Sequence, residues 1–124
     1  MRAVPRFADR RRKSATWPCP HPSTFSILVV FELHDIVLQL SGELDIASTV
    51  HLDKCVQVAL DEHPRRLIVD ASGLEFADVV GLGCLLRTCR KAERVNAEVV
   101  LASPNALLRR LIDAAGVANR FRIR

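Results

Sequence analysis

The run Leu67-Ile-Val-Asp70-Ala-Ser-Gly-Leu-Glu-Phe-Ala-Asp78-Val-Val-Gly81-Leu-Gly83-Cys-Leu-Leu86 constrains this chain more than any other stretch. It opens on a short, continuously apolar segment, the pattern of a strand buried in the middle of a sheet. It closes on Leu82, Leu85, Leu86 and Cys89, apolar positions three and four apart, which is one face of a helix. Between them lies a polar stretch with glycines. The run therefore reads as strand, exposed loop and helix start.

The pattern on either side extends this reading. Phe25-Ser-Ile-Leu-Val-Val-Phe-Glu-Leu33 and Ile36-Val-Leu-Gln-Leu40 are rich in β-branched and aromatic residues, and His34-Asp35 between them reads as a turn, so the two form a hairpin. Ser41-Gly42-Glu43-Leu44-Asp45 reads as a polar loop. A helix follows over residues 47–62, with Leu52, Cys55, Val56, Ala59 and Leu60 as its inner stripe. His63-Pro64 stops it, because proline disfavours α geometry in the residue before it. Ala97-Glu-Val-Val-Leu-Ala102 is the next strand. Ser103-Pro104 reads as the start of a last helix, with Leu107, Leu108, Leu111, Ile112 and Ala115 inward and Gly116 closing it. Phe121 and Ile123 suit a short final strand. The order β-β-α-β-α-β-α-(β) requires parallel crossovers, which gives an α/β fold with a mixed β-sheet covered by helices.

Charge divides the chain. Residues 1–24 carry six basic side chains against Asp9, a net charge of +5, whereas the remaining hundred carry 12 basic and 13 acidic ones. With Pro5, Pro18, Pro20 and Pro22 and no hydrophobic period, residues 1–24 read as a basic, disordered or loosely docked tail, and residues 25–124 as the single domain. A near-neutral domain argues against a nucleic-acid-binding face on the fold itself. No apolar run approaches the ~20 residues of a membrane span, and the start of the chain lacks the apolar core of a secretory signal. No membrane association is expected. Cys55, Cys84 and Cys89 fall on or beside apolar helical stripes, and no CxxC pair occurs. They read as small core residues in a reducing cytosol, so the expected location is cytoplasmic.

Three stretches in this order and spacing resemble the STAS domain family, in particular its anti-sigma factor antagonists (anti-anti-sigma factors). They are Gly42-Glu43-Leu44-Asp45, the run from Asp70 to Gly83, and Leu107-Leu-Arg-Arg-Leu-Ile112 followed by Gly116-Val117 and Phe121. The resemblance spans residues 25–124 and implies the STAS fold. It implies a bacterial regulatory protein that binds an anti-sigma factor, usually of the kinase type, and so releases a sigma factor for transcription. Family members usually read Asp-Ser-Ser-Gly in the signature loop, with the second Ser as phosphoacceptor. This chain has Asp78-Val79-Val80-Gly81. Val80 therefore stands at the phosphoacceptor position and offers no oxygen to phosphorylate. The resemblance implies a partner-binding surface of Glu43, Asp45, Asp78, Val79, Val80 and Gly81. Ser72 is the nearest hydroxyl and the one alternative phosphosite. Its position in the family usually holds a structural residue.

Asp78 is placed to cap the second helix, which puts position 80 beside unpaired N–H groups at the positive helix end. A phosphate there would suit the fold and add about two negative charges to a contact surface. Asp70, Glu75 and Asp78 could be imagined around Mg²⁺, but caps and solvated charges explain them better, and no metal or other cofactor is expected. His21, His34, His51 and His63 have no metal spacing. There is no Gly-x-Ser-x-Gly elbow, phosphate-cradling loop or dinucleotide fingerprint, so an enzyme is not expected. The alternative function is a STAS accessory subunit of a transport ATPase or of a signalling scaffold.

Overall fold

The structure, a computed structural model, describes residues 14–16 and 25–124. Six strands form one sheet in chain order: β1 (Ser14–Thr16), β2 (Phe25–Phe31), β3 (Asp35–Leu44), β4 (Arg66–Ala77), β5 (Glu98–Ala102) and β6 (Arg122–Ile123). The pairs β1/β2 and β2/β3 are antiparallel, and β3/β4, β4/β5 and β5/β6 are parallel. Helices α1 (Ile46–Asp61), α2 (Val79–Arg94) and α3 (Ala106–Ala115) make the parallel crossovers, and a 3-10 turn over Ala118–Arg120 precedes β6. Each crossover steps one strand along the sheet in the same direction. Right-handed connections then place all three helices on one face.

The core lies under those helices. Leu38 and Leu40 of β3, Leu67 and Val69 of β4 and Leu101 of β5 pack in one cluster with Leu52 and Val56 of α1, Leu82 and Leu85 of α2, and Leu108 and Ile112 of α3. The alternation in β2 and β3 puts every second residue into this layer. Arg87 and Asp53, 3.0 Å apart, tie α2 to α1 at the surface.

The mixed sheet covered by helices matches the order read from the sequence, with three local differences. First, Ser14–Thr16, within the stretch read as a tail, form β1 against Leu28, Val29 and Val30; the rest of residues 1–24 lies outside the described residues. Second, two segments read as loops are strand. β3 runs on to Leu44 and β4 to Ala77, paired with each other through register shifts at Gln39/Ser41 and Gly42/Glu43. Gly42 supplies the bend there with φ 95°, a conformation open to glycine at little cost. The pairing satisfies backbone groups that polar, glycine-bearing composition alone would leave to water. Third, α3 starts later than Ser103-Pro104 suggests. Asn105 caps it, its side chain accepting the Leu108 N–H at 2.8 Å, while Ser103 takes a left-handed turn. The asparagine also donates to the Leu74 carbonyl at 3.0 Å, fastening α3 to the end of β4. Leu107 and Ala115 face outward rather than inward, with Leu108 and Ile112 carrying the buried stripe, and Leu107 is 60% exposed.

These placements separate two leucines that look alike in sequence. Leu85→Ala, at a fully buried site, is expected to cost about 2–5 kcal/mol. Leu107→Ala is expected to stay within about 0.5 kcal/mol of the parent. Urea midpoints with an unchanged slope measure both, and a large loss at Leu107 would place it in the core after all.

Candidate functional site

The residues singled out by sequence converge where β3 and β4 end. Leu44 pairs with Ala77 as the last rung of the parallel ladder. One residue later each strand reaches an aspartate, Asp45 or Asp78, and each aspartate starts a helix. Asp45 caps α1, its carboxylate accepting the N–H of Ala47 at 3.0 Å and of Ser48 at 3.3 Å, with Ser48 closing a capping box. Asp78 caps α2 by accepting the Gly81 N–H at 2.8 Å. The Asp78 N–H donates back to the Leu44 carbonyl at 3.3 Å, joining the two strand–helix junctions directly.

Gly81 sets how close those junctions come. A Cβ on it would lie 2.4 Å from the Leu44 carbonyl oxygen and 3.0 Å from Leu44 Cγ. Only glycine lets α2 sit this tightly on the end of β3. Gly81 is buried, so it shapes the surface from beneath and does not present itself to a partner as its sequence grouping implies. Gly83, two residues on, would meet nothing within 4 Å.

The first residues of both helices are apolar and point outward. Val79 is 71% exposed and Val80 43%. Ile46, at the equivalent place on α1, is exposed too, as are Val50 one turn further and Phe76 on the last turnout of β4. Ile46 and Val50 escaped the sequence reading. The signal was there: Leu-Asp-Ile and Ala-Asp-Val are the same junction written twice, a strand end, a capping aspartate and a β-branched residue. Two helix starts, side by side, thus carry exposed apolar side chains over first-turn N–H groups that the two aspartates cap.

The acidic residues take different roles. Glu43 is half-buried in β3 opposite Phe76, and its carbonyl accepts the Ser48 hydroxyl at 2.7 Å. Asp45 and Asp78 are committed to caps. Ser72 is exposed on β4, its N–H donating to Asp70 at 3.0 Å. Glu75 is exposed beside it. Among the described residues, no three His, Cys, Asp or Glu side chains gather as a metal site. Cys55, Cys84 and Cys89 are buried and free. Burial pushes the thiols of Cys55 and Cys84 up to about 12, and raises that of Cys89. Asp53, 3.3 Å from Cys84 Sγ, adds to the shift at Cys84. Thiols so poorly ionised are weak nucleophiles.

The family model described as "Mlab, STAS domain" matches residues 27–123. The chain belongs to the STAS domain family. The anti-sigma-F factor antagonist RsfB of Mycobacterium tuberculosis is 26% identical over 102 residues, which cover 82% of this chain and 83% of RsfB. The crystal structure of an anti-sigma factor antagonist from Mycobacterium paratuberculosis superposes with a TM-score of 0.69 at 27% identity, covering 85% of this chain and 89% of that one. The unphosphorylated anti-sigma factor antagonist SpoIIAA shares the fold, with a TM-score of 0.68 at 21% identity over 79% of this chain and 87% of its own. No described helix is long and apolar enough to cross a membrane.

Two measurements check this STAS site. Gly81→Ala should destabilise the fold by about 1–3 kcal/mol through overpacking against Leu44, whereas Gly83→Ala should stabilise it by roughly 0.5–1 kcal/mol by removing glycine from a helix interior. Equal effects at the two glycines in chemical denaturation would remove the junction argument. The thiols give a pH signature. In the unfolded chain they ionise near 9.0, but in the fold Cys55 and Cys84 resist ionisation to about 12. Between those values the unfolded state releases protons that the folded state keeps. The thiols' contribution is therefore complete below about pH 9 and lost as pH rises towards about 12. Melting temperatures across the alkaline range should fall, and less steeply for Cys55→Ala.

Proposed function

We propose that this STAS protein is an anti-sigma factor antagonist, a cytoplasmic binding protein without enzymatic activity, whose partner is an anti-sigma factor of the kinase type. The contact is the rim of the α1 and α2 starts, with Ile46, Val79 and Val80 as apolar centre and Glu43 as a flanking charge. Asp45 and Asp78 act there as caps, holding the two helix starts in place. The relatives named above support the partner class. The geometry of the junction supports the surface.

The observation that carries the reading is that the switch frame is intact around a residue that cannot be switched. Asp78 caps α2, Gly81 seats it on Leu44, and Val80 projects from the first turn, 43% exposed. A neutral side chain at this position resembles the unphosphorylated state. The protein is thus held in its binding form, and phosphorylation at the loop does not release it. Ser72 lies back along β4, outside the first turn of α2, where a phosphate would lack the helix N–H groups.

The partner is identified by pull-down from the native cytosol with mass spectrometry, and an anti-sigma kinase is expected. Recovery of a transport ATPase instead would favour the accessory-subunit reading. Val80→Asp should weaken the complex by about tenfold or more, because the interface would bury an unpaired carboxylate. The same substitution should not harm the fold, since an acidic residue in the first turn of a helix is favourable by about 0.3–1 kcal/mol. Glu43→Gln should slow association with little change in melting temperature. Incubation with the kinase and ATP should leave residues 78–81 unmodified and the complex intact. Phosphate on Ser72 with release of the partner would show a displaced switch and overturn the reading.

A further inference from the structure

Charge is sorted across the sheet. The strands stand in chain order, so position along the sequence is also position across the fold. Residues 25–64, which hold β2, β3 and α1, carry 7 acidic side chains against the 1 basic Lys54, a net charge of −6. Residues 79–124, which hold α2, β5, α3 and β6, carry 9 basic against 3 acidic ones, a net charge of +6. The near-neutral domain is thus an acidic flank joined to a basic one. On the basic flank, α3 is only half covered. Leu108 and Ile112 are its buried residues. Leu107, Leu111 and Ala114 form a second apolar row beside them, at positions four and three apart, with Leu107 and Ala114 exposed. Leu107 and Leu111 make one wall of a groove of about 330 Å³, and Leu74, Phe76 and Ala77 at the end of β4 make the other. Asn105 lines it too, but its amide is committed to the Leu108 N–H and the Leu74 carbonyl. Among the described residues lining the groove, Arg110 is the one charged side chain, and it is exposed.

We infer that this groove is a docking site for an acidic amphipathic helix of a partner protein. The row from Leu107 to Ala114 is about 10 Å long at 1.5 Å per residue. It therefore matches two turns of a partner helix with apolar side chains at i, i+3 or i+4, and i+7. Carboxylates beside those apolar positions complement Arg110 and the positive flank around it. The other occupants fit less well. A small molecule is held by polar groups placed inside a pocket, and here the asparagine is already engaged and the arginine stands at the edge. Nucleic acid would meet the cations but leave Phe76, Leu107 and Leu111 uncovered. A second copy packed α3 against α3 about a twofold axis would set Arg110 and its neighbours against like charges. A copy offering its acidic flank head to tail would make a contact that need not close. The site stands apart from the rim at the helix starts, and its test needs no anti-sigma factor.

Two fluorescent helical peptides of about 15 residues, cross-linked to hold the helix, test the groove on the full chain. Both carry leucine at i, i+4 and i+7. The remaining positions are mainly glutamate in one and lysine in the other. Fluorescence anisotropy should show the glutamate peptide binding about tenfold or more tightly than the lysine peptide. Leu107→Ala should weaken the glutamate peptide by about fivefold or more. Arg110→Glu should reverse the preference between the two peptides. Both substitutions are at exposed sites, and circular dichroism reports that the fold persists. No binding of the glutamate peptide overturns the inference. So does equal binding of the two peptides, or binding that Leu107→Ala leaves unchanged, which would place the peptide elsewhere on the basic surface. A labelled DNA duplex that binds where the glutamate peptide does not, and is lost in Arg110→Glu, assigns the flank to nucleic acid and overturns it. Peptide binding that fades as the chain is concentrated, with oligomers in sedimentation, gives the groove to a second copy and likewise overturns it.

Discussion

The last rung of the parallel ladder, Leu44 opposite Ala77, is the constraint on which the junction of α1 and α2 depends. Because β3 and β4 end level, their capping aspartates fall level, and α1 and α2 begin side by side. The contact of Gly81 with Leu44 then fixes the spacing of the two starts. An antiparallel pair would have sent the second helix to the opposite end of the sheet. Parallel pairing is what gathers two helix N-termini, two caps and three outward β-branched residues at one edge.

What the sequence could show follows from which forces are local. Periodicity exposed the inward stripes of α1 and α2, because burial of one face is written every three or four residues. The Asp78 cap was legible for the same reason: its partner, Gly81, is three residues away. The extension of β3 and β4 was hidden. Ser41, Gly42, Ser72 and Gly73 favour turns by local chemistry, and they become strand only because each chain completes the other's hydrogen bonds across 31 or more residues of sequence. The start of α3 was misplaced because Ser103-Pro104 is a good local start signal. Asn105 prevails through its bond to Leu74, a tertiary partner no local rule can see.

The site contains little that can titrate or react. Its aspartates are engaged as caps and its exposed side chains are apolar, while the thiols of the same helices lie in the core with ionisation suppressed.

The retention of the frame is informative because it is not free. Val79 and Val80 are adjacent β-branched residues in a first turn, where stiff side chains lower helix propensity, and both expose apolar surface to water. Gly81 and Gly83 in the same turn lower it further. A helix selected for stability alone would begin differently: a small or acidic residue in place of Val80 would serve the positive end of α2 better than valine does. Asp78, by capping Gly81, recovers about 1 kcal/mol of what that sequence loses. The local cost of this turn is thus met by a structural device, and what the turn keeps is a neutral, outward, apolar side chain at Val80. A partner that buried Val80 on binding would return that exposed surface as affinity.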